Sequence, residues 1–237
     1  MSNKPIYEPR GAAKEYGDLA VNLYTGCPHA CFYCFAPLVT RKDRIDFHTK
    51  IETRPEIVEK IRRQLEREKI TGKLIHLCFT CDPYPTGYDS TPTRDVIRLL
   101  KAHENHVQIL TKGDGSRDLD LLDENDWYGI TIDGSEDDDE MAMRRTRALC
   151  DAHRRGIKTW ISYEPVVNAE NVIRSIRQMA AIGIDRIKIG KLNYYPSEIN
   201  WAWFGRTVEA LCRSLGIDYY IKDSLRAEME KETGGRE

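Results

Sequence analysis

LAVNLYTGCPHACFYC, residues 19 to 34, runs from a β-type alternation straight into three cysteines. Val21 and Leu23 share one side of an extended chain, and Asn22 and Tyr24 share the other. Cys27, Cys31 and Cys34 then occupy three of eight consecutive positions, spaced Cys-x3-Cys-x2-Cys. The stretch therefore predicts a strand with a group of thiols at its C-terminal end. What that strand belongs to decides the fold.

Further β-rich runs follow at 73–80, 106–112, 128–133, 157–164 and 185–190, with a short last one at 218–222. Helical patterns separate them. Ile57, Val58, Ile61 and Leu65 form an apolar stripe in 55–69, and Val96, Ile97 and Leu100 form one in 92–104. Over 135–154, Ser135 and an acidic run precede Arg144, Arg145 and Arg147, an order that suits the helix dipole. Asn168 caps a helix over 168–182, and a last helix over 200–215 stops at Gly216. Six β/α units in strict alternation imply a parallel sheet with helices outside and right-handed crossovers. The expectation is an α/β fold, a partial (β/α)6 TIM-like barrel, with one domain over 1–237. The barrel spans about 19–222 and a charged, fraying tail spans 223–237.

Sorting each strand by parity gives one apolar face and one polar face. Val21, Leu23, Ile75, Leu77, Phe79, Val107, Ile109, Ile130, Ile132, Ile161, Tyr163, Ile187 and Ile189 form the first. Asn22, His76, Cys78, Thr80, Gln108, Lys112, Thr131, Asp133, Ser162, Glu164 and Lys188 form the second. A closed barrel fills its interior with branched apolar residues. The second face is too polar for that, and buried polar groups without partners are costly. It suits an open concavity that holds a polar ligand at the strand ends.

The chain has 237 residues, 41% hydrophobic and 31% charged, with a net charge of -2. It gives no general electrostatic attraction to nucleic acid or anionic membrane. No apolar run approaches a membrane span, and the polar N-terminus does not resemble a signal peptide. The expected location is the cytoplasm, where seven cysteines, three of them grouped, favour a metal site over a disulfide framework. Structural zinc sites usually close with four ligands from paired knuckles, and no second knuckle follows. A four-iron cluster on three thiolates keeps one iron free to bind a ligand, whereas an electron carrier uses four cysteines.

The spacing, with Tyr33 before the last cysteine and the motif at the end of the first strand, resembles the radical S-adenosylmethionine (SAM) superfamily. GCPHACFYCFAP and TCDPYP (80–85) resemble its spore photoproduct lyase-like branch. The resemblance implies a [4Fe-4S] cluster on Cys27, Cys31 and Cys34 and SAM at the open iron. It further implies reductive cleavage to a 5′-deoxyadenosyl radical that abstracts hydrogen, in a lyase-like or oxidoreductase reaction. A one-electron reductant such as flavodoxin or ferredoxin is the implied partner. Tyr33, Thr80, Asp82, Lys112, Asp133, Ser162, Glu164 and Lys188 are the cofactor-binding candidates. Thr80 and Asp82 are assigned to the SAM amino group, set against a turn held by Asp82. Lys112 is assigned to the carboxylate. Lys188 is expected either to meet substrate or to pair with Glu164.

Cys78 and Cys81 are candidate hydrogen donors, set against the reading of both as small core residues. His29 is expected to orient the loop. Tyr194, Tyr195, Trp201 and Trp203 form either a stacking surface or a core or dimer patch. Compared with spore photoproduct lyase, little chain flanks the barrel, so thymine-dimer repair is not expected. The substrate is a peptide, a nucleic acid or a small molecule. Two alternatives stand beside the enzyme: an activase that installs a radical on a partner protein, and a non-catalytic metal-binding module.

Overall fold

The computed structural model describes residues 4–135 and 140–231. Eight strands form one sheet in sequence order. They are β1 (Ile6–Tyr7), β2 (Leu19–Val21), β3 (Leu74–Leu77), β4 (His106–Thr111), β5 (Trp127–Thr131), β6 (Lys158–Val166), β7 (Arg186–Lys191) and β8 (Asp218–Ile221). All neighbours from β2 to β8 pair in parallel, while β1 pairs antiparallel with β2. The sheet is not closed: β1 and β8 are its two edges. This is the expected partial barrel, extended by an N-terminal edge strand of only two residues.

The helices are α1 (Ala36–Thr40), α2 (Arg44–Thr49), α3 (Ile57–Glu68), α4 (Thr91–Ala102), α5 (Glu140–Arg154), α6 (Ala169–Ala180), α7 (Trp201–Leu215) and α8 (Asp223–Lys231). The stripes read from the sequence are buried: Ile57, Ile61 and Leu65 in α3, Val96, Ile97 and Leu100 in α4, and Val172, Ile173 and Ile176 in α6. Asn168 and Asn200 cap α6 and α7 by accepting from the amides of Asn171 and Trp203. Ser135 turns back onto Asp133 instead, and residues 136–139 lie outside the described residues. The tail departs from expectation. Residues 223–231 form α8, with Leu225 and Met229 buried, and Met229 lies where a Cβ on Gly205 of α7 would sit. Residues 232–237 lie outside the described residues.

The parity assignment decides the core. Val21, Ile75, Leu77, Val107, Ile109, Ile130, Ile161, Tyr163, Ile187 and Ile189 are buried in one apolar cluster with the helices. Burying each such aliphatic side chain contributes roughly 1.5–3 kcal/mol. The other face is polar and concave, and Trp160 lies across it. A Cβ on Gly129 would stand 2.2 Å from the Trp160 indole, so β5 needs glycine there for the ring to lie flat. The indole N–H donates to Ile109 O at 2.9 Å.

At the end of β3 the alternation fails. Cys78 has φ +70°, a left-handed conformation that reverses the order of faces. Cys78 therefore enters the apolar cluster, and Phe79 stacks on His76 at 4.2 Å on the concave side. This corrects the expectation that Cys78 shares the polar face with Thr80 and that Phe79 opposes it.

Candidate functional site

The cysteine loop is held by its carbonyls. Arg44, in the first turn of α2, donates to the carbonyls of Cys31 (2.5 Å), Phe32 (2.9 Å) and Cys34 (3.4 Å). The His48 imidazole meets Cys27 O at 2.7 Å, and the Lys42 ammonium donates to Thr25 O at 2.8 Å. Asp43 caps α2 through the amides of Ile45 and Asp46 and so fixes where Arg44 begins. Gly26 permits the approach: a Cβ there would stand 2.5 Å from Phe47 O. Fixing the backbone in this way leaves the three thiols for another role. Burial pushes the Cys27 and Cys34 thiols up from their ordinary range, so without a cationic partner they stay protonated at neutral pH.

Asp82 binds this loop to the sheet. Its Oδ1 accepts from the Tyr84 amide (2.8 Å) and the Thr111 hydroxyl (2.5 Å), and its Oδ2 accepts from the Lys112 amide (2.8 Å). His29 Nε2 lies 3.2 Å from Oδ2. Burial pushes this carboxyl up, but His29 and the hydrogen bonds outweigh it and hold it below the usual range. Asp82 thus joins the ends of β3 and β4 to the cysteine loop, and His29 orients that loop through it. Asn22 braces the same turn, because its Oδ1 accepts from the amides of Phe79 and Thr80. The Thr80 hydroxyl is buried with no hydrogen-bond partner among the described residues.

Lys112 and Asp133, just beyond β4 and β5, meet beside the loop. The Lys112 ammonium donates to Asp133 Oδ2 at 2.6 Å and stands 5.3 Å from the centre of the Tyr33 ring. The Tyr33 hydroxyl donates to the same oxygen, while Ser135 fills Oδ1 through its amide and hydroxyl. Burial raises the Asp133 carboxyl, but Lys112 and these donors bring it down to about 2. A cavity of about 360 Å³ opens here, and Cys31, Tyr33, Lys112, Asp133 and Arg145 line it. That volume is within the range of small-molecule sites.

Ser162, Glu164 and Lys188 belong to a second knot inside the concavity. Tyr16, which follows a 3-10 turn over Gly11–Glu15, enters from the N-terminal segment. Its hydroxyl bonds Ser162 at 3.0 Å and also donates to Glu164. Lys222 pairs with Glu164 at 2.8 Å. Lys188 donates to Glu15 O at 2.6 Å and lies 4.5 Å from the centre of the Tyr16 ring. Burial, then the charges of Lys222 and Arg186, lower Lys188 to about 8. Burial, with Lys188, lowers His76 to about 3, so its imidazole is neutral near pH 7.

Sequence reasoning missed Tyr16 and Lys222, and no local pattern marks either. Cys78 and Cys81 form a thiol pair beside the Tyr24 amide, which approaches Cys81 Sγ at 3.5 Å. Burial pushes Cys78 well up. In Cys81 the bond from Cys78 and nearby amides outweighs burial and lowers it. The aromatic group after β7 divides: Tyr195 donates to Phe32 O at 2.7 Å and packs edge-on to its ring, whereas Trp201 packs on Phe204.

These residues fit the cofactors that the resemblance implies. Three thiols stand on a tethered loop with Cys31 at the cavity wall. The cavity also offers a cation and an anion for a zwitterionic amino-acid group, and the buried Thr80 hydroxyl retains its bonding capacity.

Comparisons with known proteins agree. A family model described as the radical SAM superfamily matches residues 21–209. A spore photoproduct lyase structure superposes with a TM-score of 0.69 at 12% identity, covering 90% of this chain and 78% of its own. SuiB of Streptococcus suis bound to S-adenosylmethionine superposes with a TM-score of 0.62 at 13% identity, covering 85% and 49%. SuiB bound to its precursor peptide SuiA gives 0.63 at 13% identity, covering 90% and 51%. These structures share the fold. Uncharacterised proteins of Mycobacterium tuberculosis and Mycobacterium bovis are 33% identical over 112 residues, which is 44% of this chain and 32% of theirs. The match thus spans about a third of those relatives.

Proposed function

The chain belongs to the radical SAM superfamily, and on that premise we propose that residues 19–222 act as one catalytic domain that starts hydrogen abstraction at the cavity beside Cys31. When bound, the cluster and SAM supply one-electron cleavage of the C5′–S bond and a 5′-deoxyadenosyl radical that takes hydrogen from substrate. Cys27, Cys31 and Cys34 hold the cluster. Lys112 receives the SAM carboxylate, and Asp133, which lines the same cavity, receives its ammonium. The pair is already oriented by Tyr33 and Ser135, so little reorganisation accompanies binding. Asp82 is a positioning residue, because it does not line the cavity and its bonds tie the ends of β3 and β4 to the cysteine loop. Ser162, Glu164 and Lys188 act through Tyr16 and shape the concavity's interior. A reducing compartment such as the cytoplasm fits the seven free thiols. Among the described residues, no helix is long and apolar enough to cross a membrane.

The observation that carries this reading is the cavity lined by Cys31 of the cysteine motif together with the Lys112–Asp133 pair. Anaerobically reconstituted protein, reduced with dithionite, is expected to convert SAM to 5′-deoxyadenosine. Lys112→Ala should keep its iron and lose most of that product. Full product formation in Lys112→Ala would refute the assignment.

A further inference from the structure

The two short helices after Cys34, α1 and α2, carry exposed apolar side chains. Phe35 is 50% exposed, Leu38 82%, Val39 52% and Ile45 72%. Residues 36–50 also hold four basic side chains (Arg41, Lys42, Arg44 and Lys50) and only two acidic ones (Asp43 and Asp46). The chain as a whole is slightly acidic, at -2. Exposed apolar side chains with an excess of basic neighbours in sequence are the composition of an interaction site. None of residues 36–50 lines the cavity, so this surface is separate from the candidate substrate pocket.

Its place in the fold narrows the occupant. Phe35 directly follows Cys34, and Arg44 is bonded to the carbonyls of Cys31, Phe32 and Cys34. The surface therefore sits on the loop that carries the thiols. A second copy is disfavoured, because a two-fold contact would set one basic rim against another. The basic excess beside the cysteine loop suits an acidic partner that meets the protein briefly to pass an electron.

We propose that the α1–α2 corner is the docking surface for an acidic one-electron carrier protein, with Leu38, Val39 and Ile45 at its centre and Arg41 at its rim. The inference rests on the radical SAM reading. In the transfer, the carrier's reduced flavin or iron–sulfur centre is oxidised by one electron and the cluster on Cys27, Cys31 and Cys34 is reduced by one. No bond or proton moves.

The test is a calorimetric titration of the reconstituted protein, without SAM, using an acidic bacterial flavodoxin and an acidic two-cluster ferredoxin. At least one carrier should bind, and high salt should weaken it. Leu38→Glu combined with Ile45→Glu should cut the affinity at least ~10-fold, and Arg41→Glu several-fold, with iron content unchanged. Arg41→Glu also serves as the readout if the double variant fails to fold, since the Arg41 side chain is exposed. Binding of neither carrier, or binding unchanged in the variants, would overturn the proposal. So would sedimentation showing a dimer that Leu38→Glu disperses. Protein that makes 5′-deoxyadenosine with dithionite yet ignores both carriers loses this surface alone. Protein that binds a carrier but makes no 5′-deoxyadenosine keeps the surface and loses the radical reading.

Discussion

Two polar knots face the concave side of the sheet, and they differ in what closes them. At the strand ends, Lys112, Asp133 and Tyr33 border a cavity. Deeper in, Ser162, Glu164, Lys188 and Lys222 are closed over by Tyr16. Both obey the rule that buried charge is paired. The first keeps its charges beside open volume, where a zwitterionic ligand can share them. The second spends its bonding on the chain's own N-terminal segment. Polarity on a strand face therefore marks where a barrel is not packed with aliphatic residues, and the covering segment decides whether a ligand or the protein fills the space.

The sharpest way to break the comparison is at the thiols. Cys31→Ala should abolish iron retention while the fold persists, read by iron content and circular dichroism. Next comes the closed knot. Tyr16 is half-buried, so Tyr16→Ala should cost about 2–3 kcal/mol in denaturant unfolding, less than the loss for a fully buried aromatic. SAM should still perturb the cluster in the folded fraction. If Tyr16→Ala abolished the SAM response without loss of stability, the two knots would be one site.

Lys112→Met is the mirror case. It leaves Asp133 buried without its cation, so stability should fall by about 3 kcal/mol, and SAM affinity should fall at least ~10-fold. Adding Asp133→Asn should recover stability and leave SAM affinity low. Recovery of both would place SAM elsewhere.

The smallest effects lie in pH. Asp133 is lowered to about 2 in the fold, so its stabilisation is complete above the unfolded carboxyl range and disappears as pH falls through about 2. Asp133→Asn should flatten the acid limb of stability. Lys188 is lowered to about 8, so the unfolded chain binds the extra proton between about 8 and the ordinary lysine value. Its contribution to stability should therefore rise with pH across that window, and Lys188→Met should remove the rise. Acid sensitivity thus reports the open knot, and alkaline gain reports the closed one.

The fold was largely legible because the strands are buried on one face by branched aliphatics. Ile75 and Leu77, Val107 and Ile109, and Ile187 and Ile189 show the alternation without ambiguity. It failed at Cys78, where a left-handed residue swaps the faces, and side-chain periodicity cannot register a backbone φ. Strand β1 escaped because two residues carry no period. Helix α2 had a signal in the Asp43 cap, and α8 in the apolar pair Leu225 and Met229, but both are too short for a moment to stand out. At the site, the thiols and the Lys112–Asp133 positions followed from spacing and strand ends. The filled state of Asp82 and the plugging of Ser162 and Glu164 did not. They depend on His29 and Tyr16, which reach them from 53 residues or more away in sequence.

The most direct test of the central claim is low-temperature electron paramagnetic resonance of the anaerobically reconstituted, dithionite-reduced protein with and without SAM. The account predicts a reduced four-iron signal whose shape changes when SAM is added, in the parent chain and not in Lys112→Ala. A cluster signal indifferent to SAM, or no iron held by Cys27, Cys31 and Cys34, would contradict it.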